Sequence, residues 1–381
     1  MPPPPRFDVA VVGLGPVGAA LAALLGGRGH RVLALEREAA PHALPRAAHL
    51  DGEALRILDA AGAPVAALGR PLDGFDLVDA HGRLLLRGRP AEAPPPGYPA
   101  GVLLHQPTVE GALRRRLADL PGVDLRLEHA VRQIDARDED VTVSGDGPGG
   151  PFRARVPFVV GCDGAGSRVR EAMGATLHGG GFEQAWLVVD VLLRRPTDLP
   201  TRLLQIADPR RTTTYVPFPD PRRRWEFRLR PGEDAEALRQ PDGVRALLAP
   251  HVDPDAVEIE RAAVYTFHNL VARPWRRGRV LIAGDAAHQM PPFLGQGLGA
   301  GLRDAWALAP LLDAALAGGP LSALDAYEGE RRPHVEGVVR QAVRLGRLVS
   351  LPEPWASLRD RAIHLAHRVP VLHGRLRDVR G

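Results

Sequence analysis

The chain has 381 residues, 45% of them hydrophobic and 25% charged, enough to bury a large core, so disorder is excluded as an overall description. Its 49 basic residues are all arginine and face 45 acidic ones, for a formal charge of +4. The absence of lysine excludes Schiff-base catalysis and a P-loop. With one cysteine, Cys162, neither an internal disulfide nor a CxxC redox pair can form, which points to a reduced, cytoplasmic protein.

Arginine clusters at 114–116, 222–224 and 276–279 lie among acids with few aromatics, so a nucleic-acid surface is not expected. The start MPPPPRFD lacks the basic and apolar regions of a signal peptide. The apolar run over 9–25 is interrupted by Gly13, Gly15, Pro16 and Gly18, and no membrane span is expected there.

In chain order, Phe7 to Val12 reads as a buried strand, GLGPVG as a turn, and AALAALLGGRG as a helix ending in glycines. Arg31 to Leu35 is a second strand closing with Glu36, which completes a βαβ unit. A helix is expected over Leu50 to Leu58, two short strands around His81-Gly82, a proline-rich loop at AEAPPPGYPAG, and a helix over Pro107 to Leu117. Strand patterns occupy 123–143, SGDGPGGP is a hairpin or loop, and Phe158 to Val160 runs into GCDGAGSRVR. Between Trp186 and Phe267 the texture changes to alternating, arginine-rich strands (LVVDVLL, RLLQIA, TTTYVPF, RWEFRL) with one helix near Asp234 to Leu248. This predicts an antiparallel sheet inserted into an α/β domain that resumes at Val280 to Ala283, with helices from Ser322 onward.

Gly13, Gly15 and Gly18 form GxGxxG between a strand and a helix, and Glu36 ends the next strand 23 residues beyond Gly13. In that setting bare backbone approaches a pyrophosphate, the helix dipole favours the anion, and the carboxylate accepts ribose hydroxyls. Gly145, Gly147 and Gly150 repeat the spacing, but Pro151 and a charged strand follow, so no helix start meets a phosphate there. The stretch AGDAAHQMPPFLGQGLGAGLRDA, 283–305, places Asp285 after a buried strand and a helix start near Gly295. A flat ring could press on the backbone of Gly295 and Gly297 where side chains would obstruct it; close helix packing is the alternative.

GLGPVG with Glu36, GCDGAGSRVR and AGDAAHQMPPFLGQGLGAGLRDA together resemble the three fingerprints of the FAD-dependent aromatic hydroxylases, the p-hydroxybenzoate hydroxylase fold group. PRAAHLDGEALRIL, HQPTVEGALRRRL, TTYVPFPDPRRRWEFRLRPGE and YTFHNLVARPWRRGRVLIAGDAAH resemble the 3-(3-hydroxyphenyl)propionate hydroxylase-like branch, over roughly residues 7–345. That branch carries a long C-terminal thioredoxin-like domain, which the short helical tail here does not match. The resemblance implies a Rossmann-like FAD-binding domain in three parts (1–71, 101–182, 270–345), substrate-domain strands at 72–100, the inserted sheet at 183–269, and a helical tail at 346–381.

It also implies residue roles. Glu36, with Arg37 beside it, would bind the adenosine ribose, and Asp285 the ribityl chain. Pro292, Gly295, Gly297 and Leu298 would lie against the isoalloxazine. Asp163 would serve flavin and pyridine nucleotide, Arg46 the FAD phosphates and the mobile flavin, and Gln106 the cofactor face. Local readings compete: Asp163 as a turn residue, Gln106 as a helix cap, His288 as a packing histidine and Cys162 as a small buried apolar residue.

The chemistry implied is reduction of the flavin by NADPH or NADH, addition of O2 to give a C4a-hydroperoxide, and attack on a phenolic or polyketide-like ring. Candidates for substrate contact on the inserted sheet are Tyr215, Trp225, Arg228, Tyr265 and His268. His268 and Tyr215, with Arg46, are the catalytic candidates, and no metal site is expected. Alternation puts Trp225 and Phe227 on one face and Glu226 and Arg228 on the other. Epoxidation, Baeyer-Villiger oxidation and a non-catalytic FAD-binding sensor stay open as alternatives, as do a monomer or a homodimer. The missing lysine and WxWxIP motif exclude a halogenase, and the solitary cysteine a disulfide reductase.

Overall fold

The run before the first glycines forms the strand Val9–Val12, every residue of it buried, at the interior of a six-stranded sheet. Its neighbours are Phe158–Gly161 and Val32–Leu35, with Val280–Ile282 and Val123–Arg126 beyond them, all parallel; Arg276–Arg277 adds an antiparallel edge. Strands covered on both faces lose the polar alternation of a half-exposed sheet, which explains why VAVV, VLAL and FVVG are uniformly apolar. The molecule is described here from a computed structural model covering residues 7–41, 47–89, 94–367 and 379–380.

Parallel strands end together, so GLGPVG, Glu36, GCDGAG and AGDAAH leave the sheet along one edge. Gly13 donates its amide to the Leu35 carbonyl at 2.8 Å, Cys162 to Val12 at 2.7 Å and Ala283 to Gly161 at 2.9 Å. Three fingerprints scattered over the chain thereby become neighbours.

A nine-stranded sheet forms the second layer, running from His288–Gln289 through Val257–Arg273, Thr176–Leu193, Arg222–Arg228, Thr213–Val216, Leu203–Ile206, Phe75–Val78 and Leu84–Arg89 to Val379–Arg380. Most of its pairs are antiparallel, as the alternation predicts; Leu203–Ile206 with Phe75–Val78 and Val379–Arg380 with Leu84–Arg89 are parallel. The motif SGDGPGGP forms a hairpin between Val141–Gly147 and Gly150–Val156.

Three local expectations are corrected. The single helix near 234–248 is two, Ala235–Arg239 and Pro241–Leu248, because Gln240 precedes a proline and is extended at ψ 156°. The helix expected from Leu50 begins at Gly52, since His49–Asp51 pairs as a strand and the Asp51 side chain caps the Ala54 amide at 2.9 Å. The helix expected near Gly295 begins at Gly297, because Gly295 turns the chain in the left-handed region at φ 63°.

One buried carboxylate joins these elements. Asp304, fully buried on the helix Gly297–Leu316, accepts from His288 Nε2 at 2.6 Å, from Arg331 Nε at 3.0 Å and from the Gly284 amide at 3.1 Å. Arg331 belongs to the helix Asp325–Val349, so a single side chain fixes two helices to the AGDAAH loop. His288 is therefore the packing residue of its alternative reading, stacked on Trp275 with centroids 5.5 Å apart. Replacing Asp304 by Ala leaves the Arg331 cation buried without its carboxylate; the expected cost is about 3–5 kcal/mol, read as a lowered urea midpoint.

Candidate functional site

The first helix, Pro16–Gly26, starts at Gly15 with Pro16 in its first turn, and no side chain caps it. Its uncapped N-terminus, with partial positive charge, faces the sheet edge where the fingerprints meet. The three glycines of the turn do different work. A Cβ on Gly13, at φ 89°, would approach the Cys162 carbonyl to 2.6 Å, and one on Gly18 would collide with the Gly13 carbonyl. At Gly15 a Cβ would meet nothing within 4 Å. Gly13 and Gly18 hold the turn together, and Gly15 leaves open the space in front of the helix start. Beside it, the Glu36 carboxylate accepts from the Leu14 amide at 2.7 Å and the Glu38 amide at 3.0 Å, which presents it at the end of its strand.

The second uncapped start belongs to Gly297–Leu316, with no acidic residue in its first turn. It lies close to the first. A Cβ on Gly301 would come to 2.5 Å from a Val17 methyl, and one on Gly284 to 3.1 Å. Behind this turn are His49 and Asp51. The Asp51 carboxylate accepts from Arg303 Nη2 at 2.8 Å, and the His49 ring packs against Gly295. Burial lowers the His49 pKa, so the ring behind the glycine turn is held toward its neutral form.

Ala47, Ala48, His49, Leu50, Leu104, Gln106, Val109 and Leu298 line a shallow, partly open cavity at this place. Gln106 opens the helix Gln106–Ala118. Its Oε1 accepts from the Ala47 amide at 2.9 Å and its Nε2 donates to Glu110 at 2.7 Å, so it fastens the chain along the cavity rather than capping its own helix. Leu298 lines the same cavity, and Gly295, Gly297 and the half-buried Pro292 form the turn beside it.

The remaining cofactor candidates divide. Asp285 is half-buried on the short turn Gly284–Ala286, at the carboxyl end of its strand. Asp163 accepts from Ser167 Oγ at 2.5 Å, from the Arg168 amide at 2.7 Å and from the Val169 amide at 3.2 Å, which is the turn-residue reading. Burial nonetheless raises its pKa against those donors. Arg37 is exposed and paired with Glu38 at 3.3 Å. Arg46 lies outside the described residues. Cys162 has its thiol pKa pushed far up by burial, as a small packing residue would.

Strand register sorts the five substrate candidates. Trp186 lies opposite both Arg228 and Tyr265, Val188 opposite Glu226, and Asp190 opposite Arg224 and Arg261, so these residues share one face. That face turns toward the cofactor loops. The Trp186 ring meets Phe293, next to Pro292, at a centroid distance of 5.7 Å, and Val216, opposite Arg224, packs with Leu103 and Ala48. Arg228 and Tyr265 are thus brought to the site.

Tyr215, Trp225 and His268 are not. Tyr215 and Trp225 stack on each other at 5.0 Å in the core under the helix Pro241–Leu248, and the Tyr215 hydroxyl donates to the Pro200 carbonyl at 3.1 Å. His268, an odd number of residues from Tyr265, points to that other side too, with Glu183 at 3.8 Å. The error was one of face: the aromatic side of RWEFRL is the side that packs.

Sequence reasoning passed over Trp186, Asp190, Arg224, Glu226 and Arg261. Their signal was available as one carboxylate in the apolar LVVDVLL and charges alternating with large apolar groups in RRRWEFR. Arg224 is 1% exposed and donates to Asp190 at 2.7 and 3.2 Å; Arg261 reaches the same carboxylate at 2.7 Å and donates to the Tyr265 hydroxyl oxygen at 2.9 Å.

The chain matches the family model described as FAD binding domain over residues 6–342. The chain belongs to the FAD-dependent aromatic hydroxylases. It is 40% identical over 349 residues to a probable NADH-specific resorcinol 4-hydroxylase of Rhodococcus jostii, covering 90% of this chain and 66% of that protein. It is 39% identical over 380 residues to the 3-(3-hydroxy-phenyl)propionate/3-hydroxycinnamic acid hydroxylase of Burkholderia cenocepacia, covering 96% and 68%. The chain thus spans about two thirds of the length of these relatives. The crystal structure of p-nitrophenol 4-monooxygenase PnpA from Pseudomonas putida superimposes with a TM-score of 0.86 at 30% identity, covering 97% of this chain and 96% of that one.

The residues present fit FAD. Two uncapped helix starts, an open space at Gly15 and a carboxylate at the end of the second strand suit a diphosphate, a flat ring and a ribose. Among the described residues no group of His, Cys, Asp and Glu could hold a metal, and no helix is long and apolar enough to cross a membrane. Gly15→Val should separate fold from binding. Its side chain enters open space, so thermal stability is expected to stay within about 1 kcal/mol while FAD affinity, measured by fluorescence titration of the apoprotein, falls about tenfold or more. Gly18→Val should instead lower the melting temperature.

Proposed function

We propose that the protein is an NAD(P)H-consuming flavin monooxygenase that hydroxylates a phenolic ring lying between the inserted sheet and the Pro292–Leu298 turn. The observation that carries this reading is the Trp186–Phe293 contact, which brings a polar sheet face against the glycine turn of an FAD-binding fold. When bound, the flavin supplies hydride acceptance and oxygen activation.

The chain's own residues supply placement. Phe293 meets Trp186 edge-on at 5.7 Å and Phe182 at 5.9 Å, an aromatic wall that keeps water from the reacting ring. Arg261 donates to the Tyr265 oxygen, which leaves the Tyr265 O–H to donate to a ring hydroxyl and orient it. The name of the Rhodococcus jostii relative supports NADH as the reductant and a dihydroxybenzene as the ring class. The solitary thiol suits a reducing, cytoplasmic setting.

FAD-loaded protein is expected to oxidise NADH faster when a phenol such as resorcinol is added, and to place one atom of labelled O2 in the product. Bound FAD that neither NADH nor NADPH reduces, with phenols present, would instead identify a sensor. Tyr265→Phe should keep its FAD and lower kcat/KM by about tenfold, the loss of one hydrogen bond to the ring.

A further inference from the structure

The polar face contains one charged group that its neighbours do not satisfy. Glu226 is 8% exposed, and no described residue hydrogen-bonds its carboxylate. Its nearest cation, Arg224 Nη1, stands at 3.7 Å. That arginine is committed to Asp190 through Nε and Nη2, and Arg261 is committed to Asp190 and Tyr265. Across the strands, Val188 has no donor to offer, and Thr214 gives its hydroxyl to Gln205 at 2.9 Å. On the same strand the half-buried Arg228 turns toward the Ser350 carbonyl at 3.4 Å.

Register places Glu226 between the row Trp186–Arg228, which faces Phe293, and the row Asp190–Arg224, beside Leu103 and Ala48. A buried carboxylate short of donors is costly, so a site that keeps one gains most from a ligand that brings a donor. Its charge acts in the same direction. Arg224, Arg228 and Arg261 face Asp190 and Glu226, so the face carries one net positive charge with Glu226 ionised and two without it, and Glu226 is the group that holds down its attraction for an anionic ring. Burial raises the Glu226 pKa, opposed by Arg224 and Arg261 and reinforced by Asp190, which disfavours the ionised form; a hydrogen-bond donor brought by a ligand acts the other way and stabilises the carboxylate.

We propose that Glu226 is a specificity-determining residue that accepts a hydrogen bond from a ring hydroxyl of a neutral, polyhydroxylated aromatic substrate and turns away rings bearing a carboxylate. The inference rests on the hydroxylase reading above and deepens it by naming the substrate class.

The test is a binding titration of the FAD-loaded full chain, read as the perturbation of flavin absorbance, with resorcinol and 3-(3-hydroxyphenyl)propionate as probes at one pH. Wild-type protein is expected to bind resorcinol more tightly. In Glu226→Gln the ratio of the two dissociation constants should move about tenfold toward the acid, with FAD content and melting temperature unchanged. Glu226→Asp, which keeps the charge, should keep the wild-type preference. An unchanged ratio, equal weakening of both probes, or a wild-type preference for the acid overturns the inference. If neither ring perturbs the flavin of wild-type protein, the hydroxylase reading falls and this inference with it. If resorcinol binds and the ratio fails to move, only the role of Glu226 is lost.

Discussion

Val17 sits where two chain reversals meet, against Gly284 on one side and Gly301 on the other. A β-carbon at Gly301 would come within 2.5 Å of its methyl, so the helices Pro16–Gly26 and Gly297–Leu316 can approach this closely only because that side chain is missing. Close packing decides more than stability at this point. Each helix brings a start with no side-chain cap, and their proximity concentrates two partial positive charges along one crevice. A long anionic cofactor with a flat end is the ligand such a crevice suits.

The same proximity has to be held from behind, and ionic contacts do it, one set buried and one half-buried. Asp304 ties the AGDAAH loop to two helices, and Asp51 with Arg303 braces the turn at Gly295. Buried pairs of this kind contribute little net stability against an apolar alternative, but breaking one is expensive, and they admit few arrangements. That suits a turn offered here as the resting place of a flat ring. The inserted sheet uses charge in a second way: Asp190 is shared by two arginines, one of which orients Tyr265, while Glu226 is left for a ligand.

The two faces of the inserted sheet illustrate why composition misleads about sites. Large aromatic residues on Arg222–Arg228 and Thr213–Val216 look like material for binding an aromatic ring. They form instead the core beneath a short helix pair, since burying them there removes the most apolar surface from water. The face toward the cofactor carries the charges, because they must meet polar groups of ligand and loop.

The sequence by itself determined the FAD-binding half: strand, glycine turn, helix and terminal carboxylate are encoded within a few residues of one another, and backbone sterics leave such local patterns few other conformations. The helix starts near Gly52 and Gly297 shifted by two residues, because strand pairing at His49–Asp51 and the left-handed turn at Gly295 compete with helix propensity. Strand alternation in RRRWEFR already separated Trp225 from Glu226 and Arg228. Which of those faces meets the cofactor was decided only by tertiary structure, since alternation is symmetric and the choice depends on what packs from elsewhere: Pro241–Leu248 on one side, Phe293 on the other.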